Sequence, residues 1–398
     1  MQQAVNFWYY NKNPDNKVAM QKNSVDMEET SNQARQYSKL KTQLIVYQLL
    51  LTAAFLITML FSGASLFLKA LVIGLSRNFY LQLGFYLVIF SGIYYLLFIG
   101  LDFYGSFLLE HKFKLSNQTI LGWLKQSIKK GLLSLLMLLA AAEAFYFLLR
   151  NFQNNWWLPA TALWLMLTIT LAKITPILII PLFYKCRPLV NRELKENLIR
   201  LSKNHGVRIK EVFEVQLSKD TKKANAAVVG FGKGRRILLG DTLLENYSDQ
   251  EIEAIFAHEL GHLCLLHTWK IFAFGTVISL ASFYLTFLLL KTSLTFFGFN
   301  QIYDIAAFAL LALILMLLGL LFMPIQNSFL RHLEKNADMF ALDHIQNKHS
   351  FIAAIKKLAN QNLSDPSPGK LVEFLLYTHQ PISKRLHYAG EKSEKCPE

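Results

Sequence analysis

Two histidines and a glutamate near the middle of the chain have the spacing of metal ligands with a neighbouring base. The run His258-Glu259-Leu260-Gly261-His262 places the two histidines four residues apart. On a helix this spacing projects both imidazoles from one face, and zinc accepts imidazole nitrogens at about 2.0–2.1 Å. Glu259 can lie beside the metal without binding it and take a proton from water there. The motif predicts zinc-dependent hydrolysis; the alternative is a structural or solvated histidine pair.

A catalytic zinc site combines three protein ligands with one open position, so a third ligand must come from elsewhere. The best candidate is Glu334, and Asp338 follows it by one helical turn on the same side. Asp338 is placed to accept the N–H of a ligand histidine and to fix its tautomer. Spacing leaves another interpretation open, a salt-bridged surface helix. The three cysteines lie far apart and offer neither a disulfide framework nor a cysteine-based zinc site.

The motif itself is predicted to lie on a helix. Ser248 precedes Asp249 and Glu251, and this is the chemistry of a helix N-cap. The residues from Glu251 to the second histidine continue that helix. The two imidazoles are therefore expected to project from adjacent turns.

The segment before this helix predicts a small α+β unit. Residues 191–204 have the pattern of an amphipathic helix, and residues 212–217 alternate as a strand does. Residues 225–229 and Arg236–Gly240 predict a hairpin, joined by the glycine-rich connection 230–234. We expect this unit to support the zinc helix.

The composition indicates a membrane protein. Of the 398 residues 53% are hydrophobic, which is too apolar for one soluble domain of this size. Residues 1–40 are polar, hold no apolar core of a signal peptide and fit no span. The short apolar stretch 63–75 contains a lysine and predicts a re-entrant or interfacial segment. Six stretches are long enough to cross a bilayer, which takes about 20 residues: 42–61, 79–101, 131–149, 157–183, 271–290 and 302–323.

The positive charge predicts the orientation in the membrane. Six spans place both termini on one side, and that side receives most of the 41 lysines and arginines. The opposite loops hold only Lys69, Arg77, Arg150 and Lys291. Because basic loops remain in the cytoplasm, we expect the termini and the zinc motif to be cytoplasmic. The charge also favours attraction to anionic membrane lipid. No basic and aromatic recognition pattern is present, so nucleic acid is not an expected partner.

Two ionisable residues lie within predicted spans. Glu143 and Lys173 lie at similar depth on consecutive spans. Ionisable groups in spans are costly and usually face the interior of the bundle. The two residues therefore predict either a structural ion pair or the polar lining of a chamber, and both interpretations stay open.

On these motifs the chain resembles the membrane-integrated zinc metallopeptidases that include the type I CaaX prenyl proteases, with the HtpX-type quality-control proteases as more distant relatives. The motif at 258–262 is shared with the family, and so is the Arg-x-x-Glu-x-x-Ala-Asp pattern at 331–338. The resemblance runs from about residue 30 to about residue 388. Further segments resemble the CaaX branch: 110–119, 225–232, 236–239, 241–244, 378–381 and 385–386.

The resemblance implies roles that spacing does not. It implies that Glu334 is the third ligand of one zinc ion per chain, and that Asn225 lies on an edge strand that pairs with the substrate backbone. It implies that His379 and Arg385 face the bound peptide and help to hold the oxyanion or the peptide carbonyls. Without the resemblance, the sequence pattern predicts that His379 is an ordinary loop histidine and that Arg385 is a solvated charge on a helix. The spans are implied to surround a large wet chamber capped by the zinc domain.

The chain departs from this family in two respects. Eukaryotic members of the CaaX type have seven spans, whereas this sequence predicts six. Its lysine and asparagine richness and compact length are typical of a bacterial protein. Because bacteria generally lack protein prenylation, a prenylated substrate is not expected.

The expected fold is mainly α. It is a polytopic bundle or barrel of membrane helices around a chamber, with a cytoplasmic α+β zinc metallopeptidase domain of the gluzincin type. The expected divisions are a polar cytoplasmic segment (1–40), N-terminal membrane helices (41–183), a catalytic part with the HExxH helix (184–270), two further membrane helices (271–325) and a C-terminal part with the third ligand and the substrate-binding segment (326–398).

The expected function is that of a zinc-dependent endopeptidase of the bacterial inner membrane. Its partners would be membrane lipid and a peptide or protein substrate, entering as a C-terminal tail or as a membrane-protein segment. One alternative is a quality-control protease of the HtpX type, which would cut loops of misfolded membrane proteins. Another is a membrane sensor whose zinc site is regulatory.

Overall fold

The computed structural model describes residues 14–230 and 232–394, and most of them are helical. In chain order the helices are α1 (Pro14–Phe61), α2 (Ala64–Leu75), α3 (Phe79–Lys112), α4 (Ile120–Asn151), α5 (Trp157–Phe183), α6 (Arg192–Asn204), α7 (Asp241–Asn246), α8 (Asp249–Cys264), α9 (His267–Ser293), α10 (Phe308–His344), α11 (Lys348–Gln361), α12 (Lys370–Leu376) and α13 (Ile382–Glu394). The strands are β1 (Cys186–Pro188), β2 (Glu211–Val215), β3 (Ala226–Val229) and β4 (Arg236–Gly240).

Six helices of the described chain are long and apolar enough to cross a membrane, and this confirms the predicted number. They are α1 from Glu29 onward, α3, α4, α5, α9 and α10 together with the 3-10 turn that precedes it. The polar N-terminal segment is helical from Pro14, and α1 continues from there into the first span without a break. Residues 1–13 of that segment lie outside the described residues.

The short apolar stretch forms α2, which packs against the start of the last span. Its 12 residues are too few to cross a bilayer core, since a helix rises about 1.5 Å per residue. Ser65 donates a hydrogen bond to the carbonyl of Ala306 at 2.6 Å. The ammonium of Lys69 forms an ion pair with Asp304 at 2.6 Å. Both contacts fix α2 to the segment that leads into α10.

The membrane part has a packed apolar core on one side and a cavity on the other. Residues of α1, α3, α4 and α10 form the core, and Leu83, Tyr86 and Leu149 are fully buried in it. A cavity of about 630 Å³ lies between α4, α5, α9 and α10, and its lining is mostly apolar. The cavity extends along α10 as far as Leu330, one turn before Glu334.

Glu143 and Lys173 are not paired. No hydrogen bond or ion pair joins them among the described side chains, and the Lys173 side chain is exposed. The Glu143 carboxylate instead packs beside Gly84 of α3. Neither residue lines the 630 Å³ cavity. Similar depth along two helices therefore did not bring their charges together, because depth leaves the direction of each side chain around its helix undetermined.

The sheet has the strand order β1-β2-β4-β3, so β3 forms one of its edges. Strands β3 and β4 pair antiparallel, as predicted for the hairpin, whereas β2 and β4 pair parallel. Gly230 begins the connection with φ +91, and a Cβ there would lie 3.0 Å from the carbonyl oxygen of Gly234. The turn thus requires glycine. Phe231 of this connection lies outside the described residues.

The sheet and the surrounding helices share a second apolar core. Helix α6 begins at an Asn191 cap and buries Leu194 and Leu198 on one face, in agreement with the predicted amphipathic helix. Ile237 of β4 and Phe256 of α8 meet them in the same core. The histidines of α8 lie on a different side of the helix from the residues that pack in this core.

A buried carboxylate joins the membrane helices to the loop before β3. Glu110, near the end of α3, accepts hydrogen bonds from the Tyr37 hydroxyl and the Lys41 ammonium of α1, both at 2.6 Å. It also accepts the Lys223 ammonium at 2.9 Å. Charge-assisted hydrogen bonds of this kind are stronger than neutral ones. They hold the segment that leads to Asn225 at a fixed position relative to α1 and α3.

Candidate metal centre and substrate groove

Helix α8 carries the zinc motif, and its start is set by a capping box. The Ser248 hydroxyl accepts the Glu251 N–H at 3.3 Å, and the Glu251 carboxylate accepts the Ser248 N–H at 2.9 Å. This pairing satisfies two of the N–H groups that a helix start leaves unbonded. The predicted cap is confirmed. His258 and His262 consequently lie on adjacent turns of one regular helix.

Small residues allow α8 and α10 to approach closely. A Cβ on Gly261 would lie 3.2 Å from the Ala337 Cα and 3.1 Å from the Phe340 Cβ. Real Cβ atoms rarely have neighbours this close, and Ala337 itself is fully buried. Because α10 lies so near, the Glu334 carboxylate reaches the two histidines of α8.

His258, His262 and Glu334 form a group with the geometry of a metal site, and it is the one such group among the described residues. The two histidine Nε2 atoms lie 3.2 Å apart. The Glu334 carboxylate lies 3.3 Å from His258 Nε2 and 3.4 Å from His262 Nε2. Tetrahedral zinc with bonds of about 2.1 Å separates its ligand atoms by roughly 3.4 Å.

The remaining atoms of this group also fit a cation. Glu334 Oε2 is buried and accepts no hydrogen bond in the described part of the chain. Such a carboxylate oxygen is costly to bury unless a ligand or a cation satisfies it. His258 directs its other nitrogen, Nδ1, to Asp338 at 2.8 Å, which leaves Nε2 free for a metal. The donor set of two imidazoles and one carboxylate is one that zinc uses in catalytic sites.

Asp338 joins one metal-binding histidine to the C-terminal helix α13. Its side chain is fully buried, and it accepts His258 Nδ1. The Arg385 guanidinium donates to it twice, from Nε at 2.8 Å and from Nη2 at 2.6 Å. The Tyr388 hydroxyl donates a fourth hydrogen bond to it. Every lone pair of this carboxylate faces a donor, so the orientation of His258 is fixed before any metal binds.

A second histidine contact was not predicted from the sequence. His267 Nδ1 lies 2.9 Å from His262 Nδ1, and His267 is almost fully buried. It begins α9, after Leu266 breaks the preceding helix with a φ of +57. Helical periodicity does not continue through this break, and so no spacing rule places His267 beside His262. Tyr388, which was also missed, had a usable signal, since it follows Arg385 by three residues on one helix.

Three ionisable groups of α8 at the metal-binding group have shifted pKa values. Burial disfavours the charged form of His258, but the hydrogen bond and the charge of Asp338 outweigh it and raise the pKa of His258 to about 10. Burial and the neighbouring His258 lower the pKa of His262 to about 4. Burial also raises the pKa of Glu259. Metal binding requires neutral imidazoles, so a metal at this group displaces a proton from His258.

A cavity of about 480 Å³ opens beside the metal-binding group, within the usual range for ligand pockets. Asn225 and Ala226 line one side of it, at the start of the edge strand. Glu259 lies at its floor. A peptide-sized space therefore lies between the edge strand β3 and Glu259, which is next to the three ligand residues.

The opposite wall of this cavity carries His379. Its side chain is 62% exposed, and its Nε2 lies 3.4 Å from Glu334 Oε2. The buried Arg331 of α10 holds this loop, because its Nη1 donates to the carbonyls of Glu373 at 2.9 Å and Tyr377 at 2.6 Å. These bonds satisfy carbonyls at the end of α12, where cations are favourable. His379 is thereby presented toward the cavity.

The structure brings together every residue that the sequence singled out for the site. Glu259, Asn225, His379 and Arg385 all line the 480 Å³ cavity, with His258 at its base. Arg385 differs from expectation in one respect. Two of its nitrogens are bonded to Asp338, so its guanidinium supports the carboxylate that orients His258 besides facing the cavity.

The chain matches two family models that together cover most of its length. Residues 188–392 match the model described as peptidase family M48. Residues 12–185 match the model described as CAAX prenyl protease N-terminal, five membrane helices. The second segment contains α1 to α5.

Curated proteins and a solved structure are similar to the chain over most of its length. It is 30% identical over 369 residues to the uncharacterized metalloprotease YhfN of Bacillus subtilis, covering 92% of this chain and 86% of that protein. It is 28% identical over 302 residues to the CAAX prenyl protease 1 homolog of Arabidopsis thaliana, covering 73% and 69%. The crystal structure of S. mikatae Ste24p matches with a TM-score of 0.80 at 24% identity, covering 91% of this chain and 89% of that chain, and so has the same fold.

Proposed function

Because the chain belongs to peptidase family M48 and carries the membrane domain of the CAAX prenyl proteases, we propose that it is an endopeptidase whose zinc is held by His258, His262 and Glu334. It is an integral membrane metalloprotease. The observation that carries the assignment of these residues is the convergence of two imidazoles and one carboxylate within 4.8 Å of one another. Glu259 lies next to this group at the floor of a peptide-sized cavity.

In the proposed mechanism, Glu259 is the general base and then the general acid. His258, His262 and Glu334 would hold a zinc ion, and this ion would supply Lewis acidity toward the scissile carbonyl and toward water near neutral pH. The Glu259 carboxylate accepts that proton from the attacking water and afterwards gives it to the leaving amine. Burial raises the pKa of Glu259, and this favours the proton-holding form between the two transfers.

The substrate backbone is proposed to pair with the edge strand β3. An extended peptide gains main-chain hydrogen bonds there without a fixed sequence, which is the general mode of β-augmentation. Asn225 would bond the peptide at the start of this edge, and His379 would donate to the developing oxyanion from the opposite wall. Arg385 would act mainly through Asp338, since its two bonds to that carboxylate hold His258 in place.

The proposed location is the inner membrane of a bacterium, with the termini and the metal centre in the cytoplasm. This rests on the lysine and arginine distribution, which leaves four basic residues in the opposite loops. The proposed substrate is a peptide or protein with an extended segment that can enter the cavity, either a C-terminal tail or a loop of a membrane protein.

The test uses the detergent-purified full chain and two sets of peptides. One set ends shortly after a candidate cleavage site, and the other presents the same site inside a long loop. Mass spectrometry locates the cut, and metal analysis measures zinc. We expect cleavage that stops when a chelator removes the metal and returns when zinc is added back. Cleavage by protein shown to be free of metal would overturn the proposal.

The same experiment separates the alternatives. Preference for the short-ended peptides supports tail removal, whereas equal cutting of loops supports the quality-control function of an HtpX-type protease. Stoichiometric zinc without cleavage of any peptide would favour the membrane sensor. Prenylated and unprenylated versions of one short-ended peptide show whether the lipid matters.

A further inference from the structure

The described chain after α10 has two exposed large apolar side chains, and both lie on the short helix α12. Leu371 is 69% exposed and Phe374 is 51% exposed. The neighbouring helices α11 and α13 instead bury their apolar residues, such as Phe351 and Ala389. Apolar side chains that are exposed together mark a surface for a protein partner or for a membrane. The position of α12 in the fold decides between these two.

The exposed apolar surface of the last span ends beside α12. Leu317, Leu321 and Ile325 follow one another at intervals of four residues on α10, and all three are exposed. This spacing forms a stripe along one face of the helix. Two residues after the stripe, Asn327 donates to the Leu375 carbonyl of α12 at 2.5 Å. Because a helix rises about 1.5 Å per residue, α12 is level with the end of this stripe.

The first span gives the same position independently. The Tyr377 hydroxyl, directly after α12, is hydrogen-bonded to the Ser38 hydroxyl of α1 at 3.3 Å. Among the described residues of α1, the exposed large apolar side chains begin at Ile45, roughly 10 Å further along the helix. The headgroup region extends about 5–8 Å beyond the hydrocarbon on each side of a bilayer. Two spans therefore place α12 at the level of the headgroups.

The apolar pair lies on the side of α12 that is turned away from α13. Glu373 of α12 accepts the ammonium of Lys384 of α13 at 2.5 Å. Each helical residue advances by about 100°, so Leu371 lies about 160° and Phe374 about 100° around the helix from Glu373. Helix α13 lies farther from the membrane, because it bonds Asp338, about 20 Å past the end of the stripe on α10. The apolar pair therefore faces the membrane side.

We propose that α12 lies in the headgroup region of the bilayer, with Leu371 and Phe374 inserted among the lipids. The apolar face of an interfacial helix is buried about 5–10 Å into the boundary between headgroups and acyl chains. The exposed Lys370, four residues before Phe374, offers a cation to lipid phosphates on the same face. The lipid surface is favoured over a protein partner, because the pair continues the exposed apolar surface of the last span.

This contact positions one wall of the cavity that contains the metal-binding group. The chain runs from α12 directly into Tyr377, Thr378 and His379, which line that cavity. Arg331 holds this segment from the protein side, through the carbonyls of Glu373 and Tyr377. The bilayer holds it from the opposite side. The inference goes beyond the proposed function, since it concerns where α12 lies and not what is cleaved.

The first test measures where α12 lies in vesicles. The full chain, with its three cysteines replaced by alanine, receives a single cysteine by Leu371→Cys or Phe374→Cys for a polarity-sensitive fluorescent dye. It is reconstituted into vesicles of phosphatidylethanolamine and phosphatidylglycerol, with or without lipids that carry a nitroxide quencher at headgroup depth. The matched control is His387→Cys on α13, where the natural side chain is 77% exposed.

At both α12 positions we expect blue-shifted emission, and quenching at least about threefold stronger than at position 387. Emission and quenching equal to those of the control would overturn the proposal. A dye that leaves water only as the protein concentration rises, without response to the quencher, would show a second copy on this face and would equally contradict it.

The natural chain allows a second measurement that needs no substitution. In vesicles that contain a lipid with a photoreactive headgroup, mass spectrometry should find lipid adducts on residues 370–377 and none on residues 384–394. This result would support the location of α12 even if the labelled variants do not fold. Adducts on both segments, or on neither, would contradict it.

The effect on the cavity wall is tested with Leu371→Ser combined with Phe374→Ser, which weakens insertion among the lipids. Hydrogen exchange of the backbone amides of residues 377–380 in vesicles should become about tenfold faster, whereas His387→Ser should leave it unchanged. Unchanged exchange in the double variant would show that the bilayer does not hold this wall. None of these measurements needs a cleaved peptide, so failure here is distinguishable from failure of the proposed zinc peptidase.

Discussion

The two sides of the metal-binding group differ in how completely their polar atoms are paired. On the buried side, Asp338 is fully enclosed and meets His258, Arg385 and Tyr388. On the cavity side, His379 is 62% exposed, and Glu334 Oε2 has no hydrogen-bond partner in the described chain. The first side is complete without a ligand, whereas the second is not.

This difference indicates that the buried side contributes to metal binding and the cavity side to turnover. A satisfied buried network fixes ligand orientation in advance and so contributes to metal affinity. Groups at an open wall remain available to a ligand, so they can bind the reacting peptide. Substitutions on the buried side should alter metal binding and folding, and those on the cavity side should alter turnover.

The largest expected effect is on the cavity side, at Glu259. Glu259→Gln keeps the shape of the side chain but removes the proton acceptor, and kcat should fall by about 10²–10⁴-fold. Zinc content, measured by elemental analysis of the purified protein, should stay at the level of the natural chain. Full activity of Glu259→Gln would show that Glu259 is not the base. Loss of zinc from this variant would contradict the proposed difference between the two sides.

His379 should have the next largest effect on turnover. His379→Ala removes a donor from the open wall, and kcat should fall by about 10²–10³-fold if that donor stabilises the oxyanion. Steady-state kinetics measure this, with zinc content unchanged. His332→Ala, an exposed histidine of α10, serves as the matched control and should keep its activity. A loss of zinc in His379→Ala would place His379 with the ligands instead.

The buried side is tested at Asp338. Asp338→Ala leaves Arg385 as an uncompensated buried charge, which costs about 3–5 kcal/mol, and it frees the ring of His258. Apparent zinc affinity should fall by about 10–100-fold, as measured by competition with a chelator. Thermal unfolding in detergent should occur at a lower temperature. Asp343→Ala, on the same helix with a half-exposed carboxylate paired to Lys392, should change neither quantity much.

The smallest effect is expected at His267, which supports His262 as Asp338 supports His258. His267→Ala removes the partner of His262 Nδ1, and zinc affinity should fall by about tenfold, the lower end for such partners. The same chelator competition measures it. At saturating zinc, kcat should return to within about threefold of the natural chain, because the groups at the open wall are intact. A large loss of kcat at full zinc occupancy would place His267 on the catalytic side.

Local patterns in the sequence were enough for much of this architecture. The capping box at Ser248, the histidine pair on adjacent turns, the β3–β4 hairpin and the six long apolar helices all depend on neighbours close in the chain. Helical period, turn chemistry and span length are set by such neighbours. These features could therefore be predicted without knowledge of the fold.

Only the tertiary structure decided which distant groups meet. Glu334 reaches the histidines because Gly261 and Ala337 let two helices approach. Asn362 bonds the backbone of Ala224 from a helix far along the chain, and no spacing pattern marks it. Glu143 and Lys173, which sequence position made plausible partners, are not paired among the described residues. Packing fixes the rotation and distance of each helix, and those two quantities are not contained in any local period.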